Sequence, residues 1–323
     1  MQRSRKVVNV VDYVPGWKRF TSYRAITTAL LLCFNVSVWA NEPPAKAEPS
    51  SETTAFADAG NLIQKPVWEF GIGAAHFNGF DYPASKDKNT ASLGLPFFIY
   101  RGEVVRVAGR GVGAVAVEKP RVKLDVSLGG SLSAESSGNA ARESMPDLDF
   151  LFELGPRLNV LLGRYEHGDG GISTVRWLNS VRGVVSTDFS NLDTQGFLLN
   201  TELEWKRKQI FGSVLDVQLR LDTQWASRKL QRYFYSVPEA FVTENRAAYD
   251  AEAGVLGSRL SLGIAYPFSP TLRVFSAVNF ESYKGAANRR SPLFETDSSV
   301  SYAIAIVWTI RSSKDTIMVF DED

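Results

Sequence analysis

Two histidines are the side chains of this sequence best suited to acid–base chemistry near neutral pH. His167 lies in the glycine-rich stretch EHGDGG with Glu166 and Asp169, where it could act as a base beside a carboxylate or as one ligand of a metal ion. A metal site would need further ligands, so a polar loop tip is the simpler interpretation. His76 shares its parity with Trp68, Phe70 and Ile72, which indicates an orientation toward lipid or headgroups.

Sequence motifs for other chemistry are lacking. The chain contains no G-x-S-x-G, no H-E-x-x-H and no phosphate-binding glycine loop. Its single cysteine, Cys33, lies in an apolar N-terminal run; it is either a lipid-attachment site, for which Leu32 is an unusually large preceding residue, or part of a removed peptide. We therefore expect no enzyme activity, no cofactor and no metal site.

Composition narrows the protein class further. With 22% charged residues and a mean hydropathy of -0.12, the chain is too polar for a helical membrane protein. A net charge of +1 argues against nucleic-acid binding. Aromatic residues make up 12% of the chain, which is high for an ordinary soluble domain.

The N-terminus has the pattern of a secretory signal. Basic residues precede an apolar run from Ala25 to Val38, and Val38-Trp39-Ala40 is a small-x-small cleavage site. Residues 1–40 are therefore predicted to be a signal peptide, and residues 41–65, rich in Pro, Ala, Ser and Glu, a flexible periplasmic lead. Removal of the signal leaves a mildly acidic chain.

From residue 66 onward the sequence alternates with the period of a β-strand. The clearest stretch is Val300 to Ile310, in which apolar residues fall on one parity and small or polar residues on the other. Similar alternation covers 67–77, 121–128, 197–205, 215–225, 256–266 and 272–280. The composition of residues 240–254 indicates a helical or folded part of a large loop instead.

A soluble β-sandwich would also alternate, but three features favour a transmembrane barrel: the signal peptide without further cysteines, strands of about ten residues, and aromatic residues at strand ends. Those aromatic residues are Trp68, Phe77, Tyr100, Trp205, Trp225, Tyr266 and Trp308. We predict an all-β, antiparallel transmembrane β-barrel of about ten to twelve strands over residues 66–311 in the bacterial outer membrane, followed by a C-terminal tail, 312–323. Val300 to Ile310 would close the barrel against its first strand.

Charged residues of both signs alternate on the predicted inner face. These are Arg121, Lys123, Asp125, Arg176, Arg182, Glu202, Glu204, Lys206, Asp216, Arg220 and Asp222. Unpaired charges inside a narrow barrel would be costly, so cross-strand pairing in a plugged or narrow lumen is expected. The alternative is that some of these charges lie at the rims and meet water.

Two further stretches resemble the MipA/OmpV family of outer-membrane proteins. The first contains Asp81, Tyr82, Pro83 and Ser85, followed by Pro96, Phe97, Phe98, Tyr100 and Arg101. The second contains Met145, Pro146, Asp147 and Asp149, followed by Glu153, Gly155 and Pro156. Ala84 replaces the family's usual glycine, which matters if the turn requires positive φ.

The resemblance implies an outer-membrane barrel with no catalytic residues to transfer. One named member is similar to a scaffold that joins a lytic transglycosylase to a murein synthase, and others resemble adhesins or porin-like proteins. We therefore expect a structural barrel in contact with membrane lipid and lipopolysaccharide, with these two murein enzymes as partners; a narrow channel, an adhesin and a hydrolase based on His167 are the alternatives. The oligomeric state stays open. The C-terminus departs from the usual barrel pattern, because the chain continues past the expected last strand.

Overall fold

The computed structural model describes residues 62–101, 105–108, 111–114, 117–119 and 121–320. The predicted signal peptide and most of the predicted lead lie outside these residues. Within them, ten strands are ten residues or longer, and they form the wall of an antiparallel β-barrel. The predicted fold class is therefore confirmed.

Antiparallel strands follow one another around the wall. The long strands are β2 (Trp68–Phe80), β3 (Lys88–Arg101), β7 (Val122–Ser131), β8 (Phe150–Glu166), β9 (Ile172–Thr187), β10 (Leu192–Lys208), β11 (Asp216–Ala226), β12 (Gly254–Pro267), β13 (Leu272–Ser282) and β14 (Ser298–Ser312). Short strands β4 (Val105–Ala108), β5 (Gly111–Ala114) and β6 (Val117–Lys119) lie between β3 and β7 in the chain. The paired order is β5-β4-β3-β2-β14-β13-β12-β11-β10-β9-β8-β7-β6.

The expected junction of first and last long strands is present. β14 pairs with β2, with Ala305 opposite Ala75 and Ile304 opposite His76. Ile304 and Trp308 are close to half exposed, whereas Ser301 and Ala305 are buried. Alternating residues of one strand thus face lipid and lumen, as its sequence predicted.

A small second sheet lies where the chain enters and leaves the barrel. β1 (Leu62–Pro66), from the end of the predicted lead, pairs antiparallel with β15 (Thr316–Phe320), from the predicted tail. Backbone hydrogen bonds join the base of this ribbon to the barrel, including Arg101 N to Val67 O at 2.8 Å. We call this side of the barrel the tail end and the opposite side the loop end.

Long loops fold together at the loop end. We call them the cap; they comprise residues 81–87, 132–149, 227–253 and 283–297. The main apolar cluster combines cap residues such as Tyr82, Leu230 and Leu293 with inner residues of the wall such as Leu151 and Val184. The cap therefore packs into the barrel mouth and closes it.

Residues 240–253 form a folded part of a large loop, which is one of the two expected alternatives, and the helix of this region, α1 (Arg228–Tyr235), lies N-terminal to them. One expectation about local structure is wrong. Phe77 lines a cavity in the barrel instead of belonging to an outer aromatic girdle. Its register explains this position, because Phe77 is opposite Ala303, an inward-facing residue of β14.

Across the residues described here, no helix has the length and apolar character needed to cross a membrane. The outer face of the strands is apolar instead, with exposed side chains such as Leu203, Leu221 and Ile306. This band suits the hydrocarbon region of a bilayer.

Gly155 supports the packing of β8 against β9. A Cβ atom there would lie 1.8 Å from Val181 O, a backbone atom that no rotamer change can move away. We expect Gly155→Ala to destabilise the barrel by about 1–3 kcal/mol, measured as a lower urea midpoint of tryptophan fluorescence in lipid vesicles. Gly183→Ala is the matched control, because its Cβ would have only an ordinary contact at 3.8 Å; equal effects of the two changes would contradict this account.

Candidate functional site: a charged lumen under a loop cap

Glu204 is the centre of a charge cluster inside the barrel. On β10 it lies directly opposite Arg176 of β9 and Arg220 of β11. Its carboxylate is 3.5 Å from Arg176 Nη1 and 3.2 Å from Arg220 Nε, and it accepts a hydrogen bond from Gln218 Nε2. Glu204 is only 2% exposed, so these partners replace the water that its charge would otherwise need.

Further ion pairs continue this pattern around the wall. Arg259 of β12 is opposite Asp222 of β11, with 3.0 Å between Nε and Oδ2. Asp222 of β11 also lies opposite Glu202 of β10. The repulsion between these two carboxylates is offset by Arg220, whose Nε lies 3.5 Å from Glu202 Oε1. Each of these carboxylates therefore reaches a guanidinium on a neighbouring strand.

Further along the inner face of the wall, Arg157 of β8 forms a bidentate pair with Asp125 of β7, at 2.8 and 2.7 Å. Arg182 Nε lies 3.1 Å from Glu153 Oε2. Neither Arg157 nor Glu153 was among our predicted lumen charges. The parity of β8 contained that signal, because Glu153 and Arg157 lie on the same face of the strand as the buried Leu151 and Asn159.

Most of the predicted lumen charges are buried in this interior. Buried residues are Lys123, Arg176, Arg182, Glu204, Lys206, Asp216 and Asp222, and partly buried ones are Asp125, Glu202 and Arg220. Arg121 differs, because it is exposed in the turn before β7 at the tail end.

The first family-like stretch forms the centre of the cap. Tyr82 donates a hydrogen bond to Leu293 O at 2.8 Å, and its hydroxyl lies 3.3 Å from Glu295 Oε2. The same carboxylate oxygen accepts hydrogen bonds from Ser85 Oγ at 3.2 Å and Lys86 N at 3.1 Å. Glu295 therefore ties the loop after β2 to the loop after β13.

Ala84 adopts φ 63°, so the turn does require the left-handed conformation in which the resembling family uses glycine. Its carbonyl accepts hydrogen bonds from Glu295 N and Thr296 N at 3.0 and 3.1 Å. Tyr235 donates to the neighbouring Pro83 O at 2.8 Å. Contacts from two other loops thus hold this strained turn in place.

Polar groups at this point of the cap are desolvated. Burial raises the pKa of Asp81, which accepts a hydrogen bond from Asn139 Nδ2 at 2.9 Å. Burial likewise raises the pKa of Tyr82 above its ordinary value and lowers the pKa of Arg142, whose guanidinium lies 5.7 Å from the Tyr82 ring centroid. Tyr82 therefore stays neutral and serves as a hydrogen-bond donor.

The second family-like stretch continues the cap into the wall. Asp147 Oδ1 accepts a hydrogen bond from Ser136 N at 2.7 Å, and Pro146 O accepts one from Arg142 Nη2 at 3.1 Å. Met145 is buried in the apolar cluster.

The same stretch then enters the barrel wall. Asp149 N donates to Tyr233 Oη at 2.6 Å, and β8 begins at the next residue. Pro156 lies opposite Val126 of β7.

The remaining family-like residues lie on β3. Pro96 and Phe97 are opposite Ile72 and Gly71, while the Phe98 ring stacks with Trp68 on the outer face at 6.4 Å. Tyr100, opposite Trp68, is exposed at the tail end. Arg101 is buried there and donates to Pro66 O at 2.9 Å, which anchors the end of β1.

His167 lies in a turn at the tail end, where its Nε2 is 2.7 Å from Ser173 Oγ. Asp169 accepts a hydrogen bond from Gly171 N and pairs with Arg207 at 2.6 Å. The hydrogen bond from Gly171 N is the main cause that lowers the pKa of Asp169, and the ion pair with Arg207 adds to it. Glu166 is exposed. Across the described ranges, no group of three His, Cys, Asp or Glu residues could hold a metal ion. The side chains of His167 and Asp169 instead make contacts that stabilise the turn.

A cavity of about 210 Å³ lies between the cap and the charged wall. Tyr82 and Phe234 line it from the cap, Phe77 from β2, and Asp222 and Arg259 from the charged wall.

The model of a protein family described as MltA-interacting protein MipA matches residues 72–310. This chain belongs to the MipA family. It is an outer-membrane β-barrel protein of a bacterium, as the family, the fold and the apolar outer band together indicate.

Solved structures that resemble this MipA-family chain are barrels of low sequence identity. The chain is similar to a bacterial polysaccharide outer membrane secretin, with 8% identity, a TM-score of 0.32 and coverage of 75% of this chain and 99% of that one. It is also similar to the NanC porin, with 10% identity, a TM-score of 0.30 and coverage of 75% and 100%. The outer membrane channel DcaP of Acinetobacter baumannii matches with 10% identity, a TM-score of 0.26 and coverage of 79% and 98%. No curated protein matches the chain.

Glu204 provides a test of the charged interior. Glu204→Ala removes a carboxylate from the buried Arg176, while Arg220 keeps its contact with Glu202, so we expect a loss of about 3–5 kcal/mol in the free energy of unfolding, measured by urea titration in lipid vesicles. Asp297→Ala is the control, because it breaks an exposed pair with Arg289 at the loop end and should cost about 1 kcal/mol or less. A loss for Glu204→Ala as small as that of the control would refute the proposed burial.

Tyr82 provides a separate test of the cap. Tyr82→Phe leaves the buried Leu293 carbonyl without its donor, which should cost about 1–3 kcal/mol. We expect faster amide hydrogen exchange in residues 81–87 and 291–296 with unchanged exchange in the barrel strands. Tyr165→Phe, on the exposed outer face, should change neither region; unchanged exchange in the Tyr82 variant would contradict the role of this contact.

Proposed function

We propose that this protein is a non-enzymatic scaffold that holds a lytic transglycosylase and a murein synthase at the inner surface of the outer membrane. The family description, an MltA-interacting protein, supports a murein transglycosylase as one partner. The ion-paired interior also favours a structural role, because these charged groups already have partners within the wall.

The β1–β15 ribbon is the observation that carries this proposal. It extends the chain beyond the barrel at the tail end, the side on which both termini of the barrel lie. Arg101 of β3 fixes its base to the wall, through its side chain to Pro66 O and through its backbone N to Val67 O. Such a ribbon offers a partner a strand edge for β-addition, together with an exposed Met318.

The tail end must then face the periplasm, where murein is processed, while the cap faces the outside. We expect lipopolysaccharide to contact the barrel around the cap. An adhesin role would use the same exposed cap. The scaffold, lipopolysaccharide and adhesin assignments all require the cap to face the outside of the cell. Labelling of an exposed cap residue on intact cells would therefore test them together.

A narrow solute channel is the second candidate. The cavity of about 210 Å³ under the cap favours it, because a solute of limited size could fit there. The packed cap weighs against it, since Tyr82, Ser85 and Glu295 would have to separate before a solute could pass along the axis.

The scaffold proposal predicts that partner binding depends on the ribbon. We expect Met318→Asp to reduce capture of the lytic transglycosylase by the purified barrel at least tenfold, because it places a charge on an exposed apolar position beside the edge. The matched control is Val242→Asp, the same kind of change on the cap, which should leave capture unchanged. Equal capture by both variants would refute the ribbon as the binding surface, and absence of either murein enzyme from wild-type complexes would refute the scaffold itself.

A further inference from the structure

A large pocket lies within the cap, between α1 and the loop segments 142–148 and 236–250. Its volume is about 790 Å³, which is within the range of about 300–1,000 Å³ for sites that bind small organic ligands. It shares no lining residue with the cavity between the cap and the charged wall. We call it the cap pocket. Its floor consists of the buried lining residues Arg142, Met145, Leu148 and Val237.

The floor of the cap pocket holds a buried positive charge. Arg142 is only 4% exposed. Its Nη1 donates to Phe234 O at 3.2 Å and its Nη2 to Pro146 O at 3.1 Å, while Nε has no hydrogen-bond partner among the described residues. Within the same part of the chain, Arg142 has no carboxylate at ion-pair distance. Buried guanidiniums of the wall, such as those of Arg157 and Arg182, do have one.

A second guanidinium adds to the positive potential at the floor. Arg246 is 7% exposed, and its Nε and Nη1 donate to the backbone carbonyls of Phe241, Ala141 and Glu143, each at 2.9 Å. Burial is the main cause that lowers the pKa of Arg142, and repulsion from Arg246 adds to it. Two cations are thus desolvated side by side and bonded to neutral carbonyls, so an anion in the pocket would be stabilised.

The carboxylates that line the pocket do not neutralise its floor. Asp147 and Glu239 are exposed at the rim. Asp250, also exposed, already forms a bidentate pair with Arg232 at 2.6 and 2.7 Å. Water and salt screen such exposed charges, whereas the buried charge of Arg142 is screened much less. A ligand therefore meets a positive potential at the floor.

Aromatic rings form part of the walls. Tyr233, Phe241 and Tyr249 line the pocket and are half-buried. The two tyrosine hydroxyls are bonded within the cap, which leaves the rings as the surface for a ligand. Gln195 and Ser236 also line the pocket and add hydrogen-bonding groups. Flat apolar surface beside polar groups matches a sugar, which has an apolar ring face and hydroxyl groups at its edge.

We propose that the cap pocket binds an acidic sugar, with the carboxylate at Arg142 and the sugar ring against the aromatic walls. Hydrogen bonds from a charged guanidinium to a carboxylate are stronger than those between neutral groups. A lipid or an aromatic acid would require an enclosed apolar pocket, whereas the exposed rim here leaves the hydroxyls of a sugar in contact with water. This inference is independent of the scaffold proposal, because the ribbon lies at the opposite end of the barrel.

The first test compares two ligands that differ only in charge. The full barrel in lipid nanodiscs is titrated in a calorimeter with cellobiouronic acid and with cellobiose, which has a hydroxymethyl group in place of the carboxylate. We expect saturable binding of the acid and at least tenfold weaker binding of cellobiose. No binding of the acid, or equal binding of both sugars, would overturn the proposal.

The same titration also identifies the source of the sugar. Weaker binding in nanodiscs that contain lipopolysaccharide would support the acidic sugars of that lipid as the natural ligand. Unchanged binding there would support a soluble acidic glycan.

Two neighbouring alanines locate the site. Ala248 lines the cap pocket and is exposed, whereas the exposed Ala247 does not line it. We expect Ala248→Trp to fill the pocket and weaken binding of cellobiouronic acid at least tenfold, and Ala247→Trp to leave it unchanged. Equal affinities of these two variants would contradict the proposed site.

The role of Arg142 is tested by its effect on ligand preference. Arg142→Gln should remove the preference for cellobiouronic acid over cellobiose, because the charge at the floor is lost, whereas Arg142→Lys should keep part of it. A purely structural role would weaken the binding of both sugars equally, so an unchanged preference in Arg142→Gln would refute the proposed contact. If Arg142→Gln does not fold, the two alanine variants decide.

Discussion

Glu204 lies between Arg176 on one neighbouring strand and Arg220 on the other, and none of these charges could be buried alone at an acceptable cost. The need to pair these charges also fixes the register of the three strands that carry them. A shift of one residue between β9, β10 and β11 would turn the charges into lipid and the leucines into the lumen. The ion pairs and the apolar outer band therefore specify the same register, and the rest of the barrel is built on it.

The cap depends on that wall but is held by different forces. Its apolar cluster fills the mouth of the barrel, and hydrogen bonds to Glu295 join loops that are more than 200 residues apart in the chain. Ala84 keeps a left-handed conformation within this arrangement. A strained turn and several buried polar groups persist there because neighbouring loops bond to each of them.

Strand parity was sufficient to predict the barrel, the lipid-facing side of Val300 to Ile310 and most of the lumen charges. It could not give the partners of those charges, because Arg176 and Glu204 are matched only by the register of two strands. The cap was beyond such reasoning, since Tyr82 and Leu293 have no periodic signal. The family-like residues marked its position without showing that they pack together.

Together these features describe an outer-membrane barrel whose axis is closed by paired charges and a packed cap. Single-channel recording in planar bilayers tests the closed axis most directly. The purified wild-type barrel should insert without producing conductance steps. Regular, reproducible steps from the wild-type protein would show an open axial path and contradict this account.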